Sequence, residues 1–427
     1  MLSNEINETL TRVGPGTRMG ALLRRYWYPV AAVADLEKKW TKRIRLLGED
    51  LVLFKDRLGR FGLIQEQCPH RKASFAYGIP TKEGIRCPYH GWHMDHQGRC
   101  IDQPNEAKPD GLKGKAMIAA YTVEEMGGMI WAYLGPKPIP VLPRFDGFVA
   151  ERSIRQIGRA VIPANWLQIM ENSVDPIHAE WLHGKHFEFL KEDEDVKVAI
   201  SRRHLKIAFD EFEFGIVKRR LLEGQSEDSD DWRVGHPLVF PNMLSVGNGN
   251  EDSRSYDFQI RVPVDDTHTL HLWYTAYVPP YGTDIPEHLL NHVAVYEVPF
   301  IDENGEHIVD YVDGEDIMAW VTQGPIADRT DEMLGATDNG VIMYRRMLQR
   351  ELEKIERGED PIGVLRGSRG NGPIALPVER DKHHFSDSFA ARSKRTQSRY
   401  SPINDEVLAV FESVRKGSSD ASDNRSH

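Results

Sequence analysis

The sequence predicts an α+β fold in two parts, an all-β domain over residues 41–136 followed by an α+β domain over 144–390. Three features carry this reading: short strands separated by turn residues from Arg43 to Leu134, a proline-rich stretch at Pro136–Pro143, and longer strands mixed with helices beyond it. In chain order, residues 1–40 read as a helical opening segment. Glu5–Thr11 is helical, Gly14-Pro15-Gly16 interrupts it, and an apolar stripe resumes at Met19–Trp27. The first domain runs through Ile44–Leu47, a Gly48-Glu49-Asp50 turn, Leu51–Phe54, a turn at Arg57-Leu58-Gly59 and Phe61–Gln65. The same texture continues through His93–Cys100, Met117–Val123 and Met129–Leu134. Past the prolines, Asn165–Leu182 reads as a helix with Asn165 as N-cap and Gly184 as its stop signal. Strands are expected at His204–Phe209, Phe214–Leu221, Phe258–Val262 and His268–Tyr277, and helices at Asp316–Val321 and Val341–Glu356. The tail, 391–427, holds one short apolar run, Val407–Val414, and its last dozen residues are expected to be disordered.

Lys+Arg number 54 against 65 Asp+Glu, a net charge of −11, which argues against nucleic acid as a partner. The longest apolar runs, such as Leu51–Phe54 and Met129–Leu134, fall far short of the ~20 residues that cross a bilayer, so no membrane association is expected. MLSNEINETL has neither a basic nor an apolar leader region, and a cytoplasmic location follows as an expectation. Three cysteines, Cys68, Cys87 and Cys100, are an odd count that argues against a disulfide framework.

Two of those cysteines fall in a pattern. Cys68-Pro69-His70 is followed by Cys87-Pro88-Tyr89-His90, a C-x-H-x16-C-x2-H spacing in which each Cys/His pair occupies a loop at the end of a strand. Thiolate and imidazole are the ligands of zinc and of iron–sulfur centres. Four such donors suit either a structural zinc or a [2Fe-2S] cluster in which two imidazoles on one iron raise the reduction potential. Cys100 lies outside the pattern and reads as an ordinary buried thiol.

The runs Cys68-Pro-His70-Arg71 and Cys87-Pro-Tyr-His90-Gly91-Trp92 resemble the cluster loops of the Rieske non-heme iron oxygenases, and the similarity covers roughly residues 40–135. The resemblance implies an all-β Rieske domain with a [2Fe-2S] cluster on Cys68, His70, Cys87 and His90. It also implies a helix-grip α+β catalytic domain holding a mononuclear Fe(II) on two histidines and a carboxylate.

Glu171-Asn172-Ser173-Val174-Asp175-Pro176-Ile177-His178-Ala179-Glu180-Trp181-Leu182-His183 supplies the D-x2-H-x4-H pattern that resembles the family's iron-site motif. Asp175 and His178 stand three apart and would share a helix face. His183 lies about 140° from His178 around an ideal helix, so both reach one metal only if the helix bends or carries a π-bulge there. By the resemblance, His178 and His183 are iron ligands, and Asp175 has the catalytic role of linking His178 to His90 of a neighbouring subunit in a homotrimer. Asp313, Asp316, Asp328 and Asp331 compete as the carboxylate. Asp316, opening an amphipathic helix as the family's aspartate does, is the choice.

The chain has no G-x-G-x-x-G after a strand and no G-x-x-x-x-G-K-[ST], so electrons from NAD(P)H are expected through a separate reductase, with a ferredoxin as a further carrier where the system uses one. The whole chain resembles the phthalate-dioxygenase-like branch. Asn165-Trp166-Leu167-Gln168, Gly235–Pro241 and Arg261–His268 resemble its O-demethylating members. The expected reaction is O2-dependent O-demethylation of a lignin-derived methoxylated aromatic acid, releasing formaldehyde. Ring cis-dihydroxylation is the alternative, and a zinc-stabilised binding protein or a Rieske electron carrier are the readings furthest from it. Arg219, Arg220, His236 and Phe240 are candidate substrate contacts, and Glu171 stands where many ring dihydroxylases carry Asn.

Overall fold

The computed structural model describes residues 1–104, 106, 115–249, 254–370, 372–378 and 393–412. The expected domain end at 390 and the expected disorder of the last dozen residues lie outside them.

The first part is built from Trp27–Ala32 (β1), Thr41–Leu46 (β2), Glu49–Lys55 (β3), Phe61–Gln65 (β4), Ile79–Pro80 (β5), Gly84–Arg86 (β6), His93–Asp95 (β7), Cys100–Asp102 (β8), Ala120–Met126 (β9) and Met129–Tyr133 (β10). Six form a sheet in the order β1-β10-β9-β4-β3-β2, and β5 to β8 form a four-stranded sheet. The β2–β3 hairpin turns at Leu47-Gly48, both at positive φ (49° and 75°), one residue earlier than expected. Two positive-φ residues match the strand twist, so Glu49 and Asp50 are free to pair in β3. The opening segment departs from the helical expectation. Helices cover Asn4–Thr11 and Arg18–Leu23, each capped by a side chain, from Ser3 and Thr17. The chain then extends into β1, which joins the sheet edge beside β10. WYPVAA is buried at every position, and a continuous apolar run of this length does not tell strand from helix by period.

The second part is a nine-stranded sheet from Ile154–Ile162 (β11), His204–Phe212 (β12), Gly215–Leu222 (β13), His236–Val239 (β14), Met243–Ser245 (β15), Asn248–Gly249 (β16), Arg254–Pro263 (β17), Thr269–Val278 (β18) and Ala294–Glu297 (β19). Its order is β12-β13-β14-β15-β17-β18-β11-β19, with β16 beside β17, and only β19 runs parallel to its neighbour. Helices at Trp166–Ser173, Val312–Val321 and Asn339–Glu356 pack on it. Trp273 and Ala160 of the sheet cluster with Ile169, Ile317 and Trp320 of two of these helices. Tyr344 of the third donates its hydroxyl to Pro241 O at 2.6 Å.

The proline-rich boundary is not a break in the core. One apolar cluster runs from Leu10 through Trp131 to Phe240 and Leu376, and Asn165 Nδ2 donates to Thr11 O at 2.9 Å. A separate cluster of Val52, Phe54, Phe75, Ile85 and Trp92 surrounds Cys68, Cys87 and Cys100. The tail is also anchored, since Val407 and Val410 pack on Ile154, Tyr277 and Leu289. Among the described residues no helix is long and apolar enough to cross a membrane.

Candidate metal centres

The two Cys/His loops are backbone copies of each other. Cys68 O accepts from Lys72 N at 3.0 Å and Cys68 N donates to Ala73 O at 2.9 Å; Cys87 repeats both bonds with Gly91 N at 3.0 Å and Trp92 O at 2.8 Å. The fifth residue must turn left-handed in each, with φ of 62° at Lys72 and 76° at Gly91. The loops leave both sulfurs buried, His90 half-buried and His70 exposed. The His70 ring stacks on Trp92 (4.7 Å, 3°) and meets the His90 ring edge-on at 4.6 Å. Burial pushes the Cys68 thiol up to about 11, against the pull of the His70 and Arg71 amides, and the adjoining Cys87 pushes the same way. Two buried sulfurs so placed hold charge together when a metal cation lies between them. Sulfurs inside and imidazoles outside fit an asymmetrically ligated [2Fe-2S] cluster.

In the second part, the expected continuous helix is broken. It ends at Ser173; Asp175 precedes Pro176, which disfavours helical backbone, and Asp175 Oδ1 accepts from Ile177 N at 2.8 Å to cap the restart. Asp175 and His178 therefore meet across a turn, Oδ2 to Nδ1 at 3.5 Å, and not along one helix face. From Trp181 to His186 the helix is π, the irregularity that the 140° mismatch required. Its hydrogen bonds run five residues apart and bring His183 round to the side of His178. Gly184 does not stop the helix, which continues as Phe187–Leu190. A Cβ there would lie 2.5 Å from Ser201 Cα, so glycine serves a close approach of two segments.

His178, His183 and Asp316 come together, with one ligand atom from each lying within 4.8 Å of the others. Asp316 Oδ1 is 3.3 Å from His183 Nε2 and 3.7 Å from His178 Nε2, and the two rings are 5.2 Å apart at 83°. Asp316 stands in the middle of Val312–Val321 and does not open that helix as expected, because the helix begins a turn earlier, at Val312. Asn172 Nδ2 donates to Asp316 Oδ1 at 3.2 Å. Two of the three competing carboxylates are used elsewhere, and the third, Asp331, is exposed. Asp313 accepts from Gln397 N, and burial pushes it up to about 7; exposed Asp328 caps Thr330.

Two further residues complete the site. Glu315 Oε2 lies 2.7 Å from His183 Nδ1, an acceptor that would hold the ring proton on Nδ1 and leave Nε2 to a metal once one is bound. Arg395 holds Glu315 Oε1 at 3.3 Å, and its guanidinium lies 3.3 Å over the Phe187 ring. Burial lowers His183, but Asp316 and Glu315 outweigh it and raise it to about 9, while Asp316 stays below the usual carboxylate range. Such a donor set draws a cation, which fits a mononuclear metal. Glu315 had a signal in its adjacency to Asp316. Arg395, 212 residues from His183, had none.

Glu171 points away from this centre, into a buried ion network. Arg329 Nη2 and Arg345 Nε reach its two oxygens at 2.7 and 2.6 Å. Of the candidate substrate contacts, Arg219 pairs with Asp210, Arg220 with buried Asp231, and Phe240 packs edge-on to Tyr26 and Tyr344.

A family model for the Rieske [2Fe-2S] domain matches residues 26–122, and one described as LigXa C-terminal domain like matches 307–372. The chain is 42% identical over 386 residues, 89% of its length and 88% of the other's, to the 5,5'-dehydrodivanillate O-demethylase oxygenase subunit of Sphingobium sp. (strain NBRC 103272 / SYK-6). The chain belongs to the Rieske non-heme iron oxygenases. The oxygenase is also 31% identical to the phthalate 4,5-dioxygenase oxygenase subunit of Pseudomonas putida, over 85% of this chain and 89% of that one. The solved structure of Pseudomonas putida CBB5 NdmA with caffeine shares its fold, with a TM-score of 0.59 at 22% identity, covering 82% of this chain and 98% of that one. As a Rieske oxygenase it is an enzyme with an all-β cluster domain ahead of an α+β catalytic domain. Its two cofactors are a [2Fe-2S] cluster and a mononuclear iron.

Proposed function

We propose that this oxygenase O-demethylates a lignin-derived methoxylated aromatic acid of the biaryl type, releasing formaldehyde. The similarity to the dehydrodivanillate enzyme along nearly the full length of both chains carries the reading. In it, Cys68, His70, Cys87 and His90 hold the cluster, and His178, His183 and Asp316 hold the iron. The two centres together supply dioxygen activation, one electron at a time. One oxygen atom enters a methyl C–H bond and the other leaves as water, with two electrons and two protons; the hemiacetal formed collapses to a phenol and formaldehyde. Glu315 keeps the Nδ1 proton of His183 in place throughout, and Asn172 orients Asp316. The electrons come from NAD(P)H through a reductase, directly or by way of a ferredoxin, in the cytoplasm where that donor is found.

Asp175 serves as the bridge between centres, linking His178 to His90 of a neighbouring subunit in a homotrimer. Asp175→Asn is expected to retain both metals and slow single-turnover reoxidation of the reduced cluster about 10–100-fold. Rapid-mixing absorbance of the cluster checks this, and an unchanged rate removes Asp175 from the electron path.

The decisive experiment for the reaction is a single turnover of chemically reduced, iron-replete protein with O2 and methoxylated aromatic acids, biaryls included. Formaldehyde should equal substrate consumed. Substrate loss without formaldehyde, and with two oxygen atoms gained by mass, would establish ring dihydroxylation in its place.

A further inference from the structure

Strand register places two cations on the sheet face that the metal-bearing helices cover. Ile216, Leu238, Leu244, Gln259 and Trp273 are successive antiparallel partners across β13, β14, β15, β17 and β18, so they share one face. Trp273 packs against Ile317 and Trp320, which identifies that face as the one under the helix of Asp316. Lys218 and Arg261 stand two residues along from Ile216 and Gln259, and alternation points them to the same side.

Neither cation has a carboxylate partner among the described residues. Lys218 is 8% exposed, and its side chain makes no hydrogen bond or ion-pair contact with any described residue, although the charges of Asp175 and Asp316 act on it from further off. Arg261 is fully buried; its fork donates only to Gln259, through O at 3.0 Å and Oε1 at 2.7 Å, and its Nε has no partner. Arg220, on the same face, is already committed to Asp231. The nearby acids have other work: Asp175 contacts His178, and Asp316 belongs to the metal donors. A buried unpaired cation is costly and persists where something else supplies its counter-charge. Here the counter-charge would have to come from the side of the metal donors, since the sheet neighbours on that face, Ile216, Leu238 and Leu244, are buried and apolar.

We propose that Lys218, backed by Arg261, is the carboxylate subsite of the substrate pocket, holding the ring carboxylate of an aromatic acid so that its other substituents face the iron. This rests on the aromatic-acid reading above. Burial, followed by the repulsion of Arg220, pulls Lys218 down to about 7 against the weaker opposing pull of Asp175 and Asp316, and burial likewise lowers Arg261 against Asp316 and Asp313, so these acids do not make up for the water that both cations lose.

The test is calorimetric titration of the iron-replete holoenzyme with 5,5'-dehydrodivanillate and with its dimethyl ester. Wild type should bind the free acid at least about tenfold more tightly than the ester. Lys218→Met should erase that preference by weakening the acid alone, and Lys218→Arg should keep most of it. Lys218→Gln repeats the test should the Met variant fail to fold. A wild type that binds acid and ester alike, or neither, overturns the subsite, and so does a Lys218 variant that weakens both ligands equally. Formaldehyde release bears on the reaction alone. Acid preference without demethylation would keep the subsite and sink the O-demethylase reading, while demethylation without acid preference would do the reverse.

Discussion

Asp316→Ala is expected to empty the mononuclear site and leave the cluster intact, so that total iron falls from about three atoms per chain to about two. The geometry explains the size of the effect. Asp316 Oδ1 is the atom on which both imidazole Nε2 atoms converge, and no other carboxylate replaces it: Glu315 is engaged by His183 Nδ1 and Arg395, and Asp313 by the Gln397 amide. Two imidazoles 5.2 Å apart without an anionic donor form a weak site for a divalent ion. Iron and acid-labile sulfide analysis, with the visible spectrum of the cluster, reads the two centres separately. Turnover should be lost with the iron. A variant with full iron would remove Asp316 from the ligand set.

Glu171→Gln is expected to cost about 3–5 kcal/mol of stability at neutral pH. Among the described residues Glu171 alone neutralises fully buried Arg329, and it shares Arg345 with Glu332. Glutamine keeps the shape but leaves Arg329 with only Asn7 Oδ1 and Ala327 O as acceptors besides the amide oxygen. The pH dependence has a definite sign. Burial acts to raise Glu171, but the two guanidiniums outweigh it and hold the folded-state value below the ordinary 4.5. Its stabilisation is therefore present above about pH 4.5 and is lost as pH falls through the folded-state value. Denaturant midpoints at pH 7 and pH 4 should differ less for the variant than for wild type. Equal midpoints for the two proteins at pH 7 would show that the network contributes nothing net.

How much of this site could be read from the chain depended on how local each part is. The cluster loops were legible because all four donors and the turns that present them lie in two short runs. The π-segment was legible from a conflict, since two histidines five apart cannot face one metal from a regular helix, and the break before it was foreshadowed by Pro176. By contrast, Arg395, Lys218 and Arg261 reach the site through tertiary structure alone. Their positions follow from the register of β13 and β17 and from the return of the tail beneath His183, which no local period encodes. β1 was misread for a related reason: it is buried by β10, a strand a hundred residues later, and its apolar run carries no alternation. Glu171 was legible only as a residue standing where many ring dihydroxylases carry Asn, and its two arginine partners were not foreseeable.

The loops and the tail also set an order for biosynthesis. The four donors proposed for the cluster emerge from the ribosome together, within Cys68–His90, before the helices that carry His178, His183 and Asp316 exist. The mononuclear site is assembled from three distant stretches. His183 must wait for Asp316 and Glu315, and Glu315 must wait for Arg395, the last residue of the set to be translated. On the proposed ligand sets, a nascent chain presents every cluster donor long before it can hold its second metal firmly, and chains cut short before Arg395 would carry the first centre without a finished second.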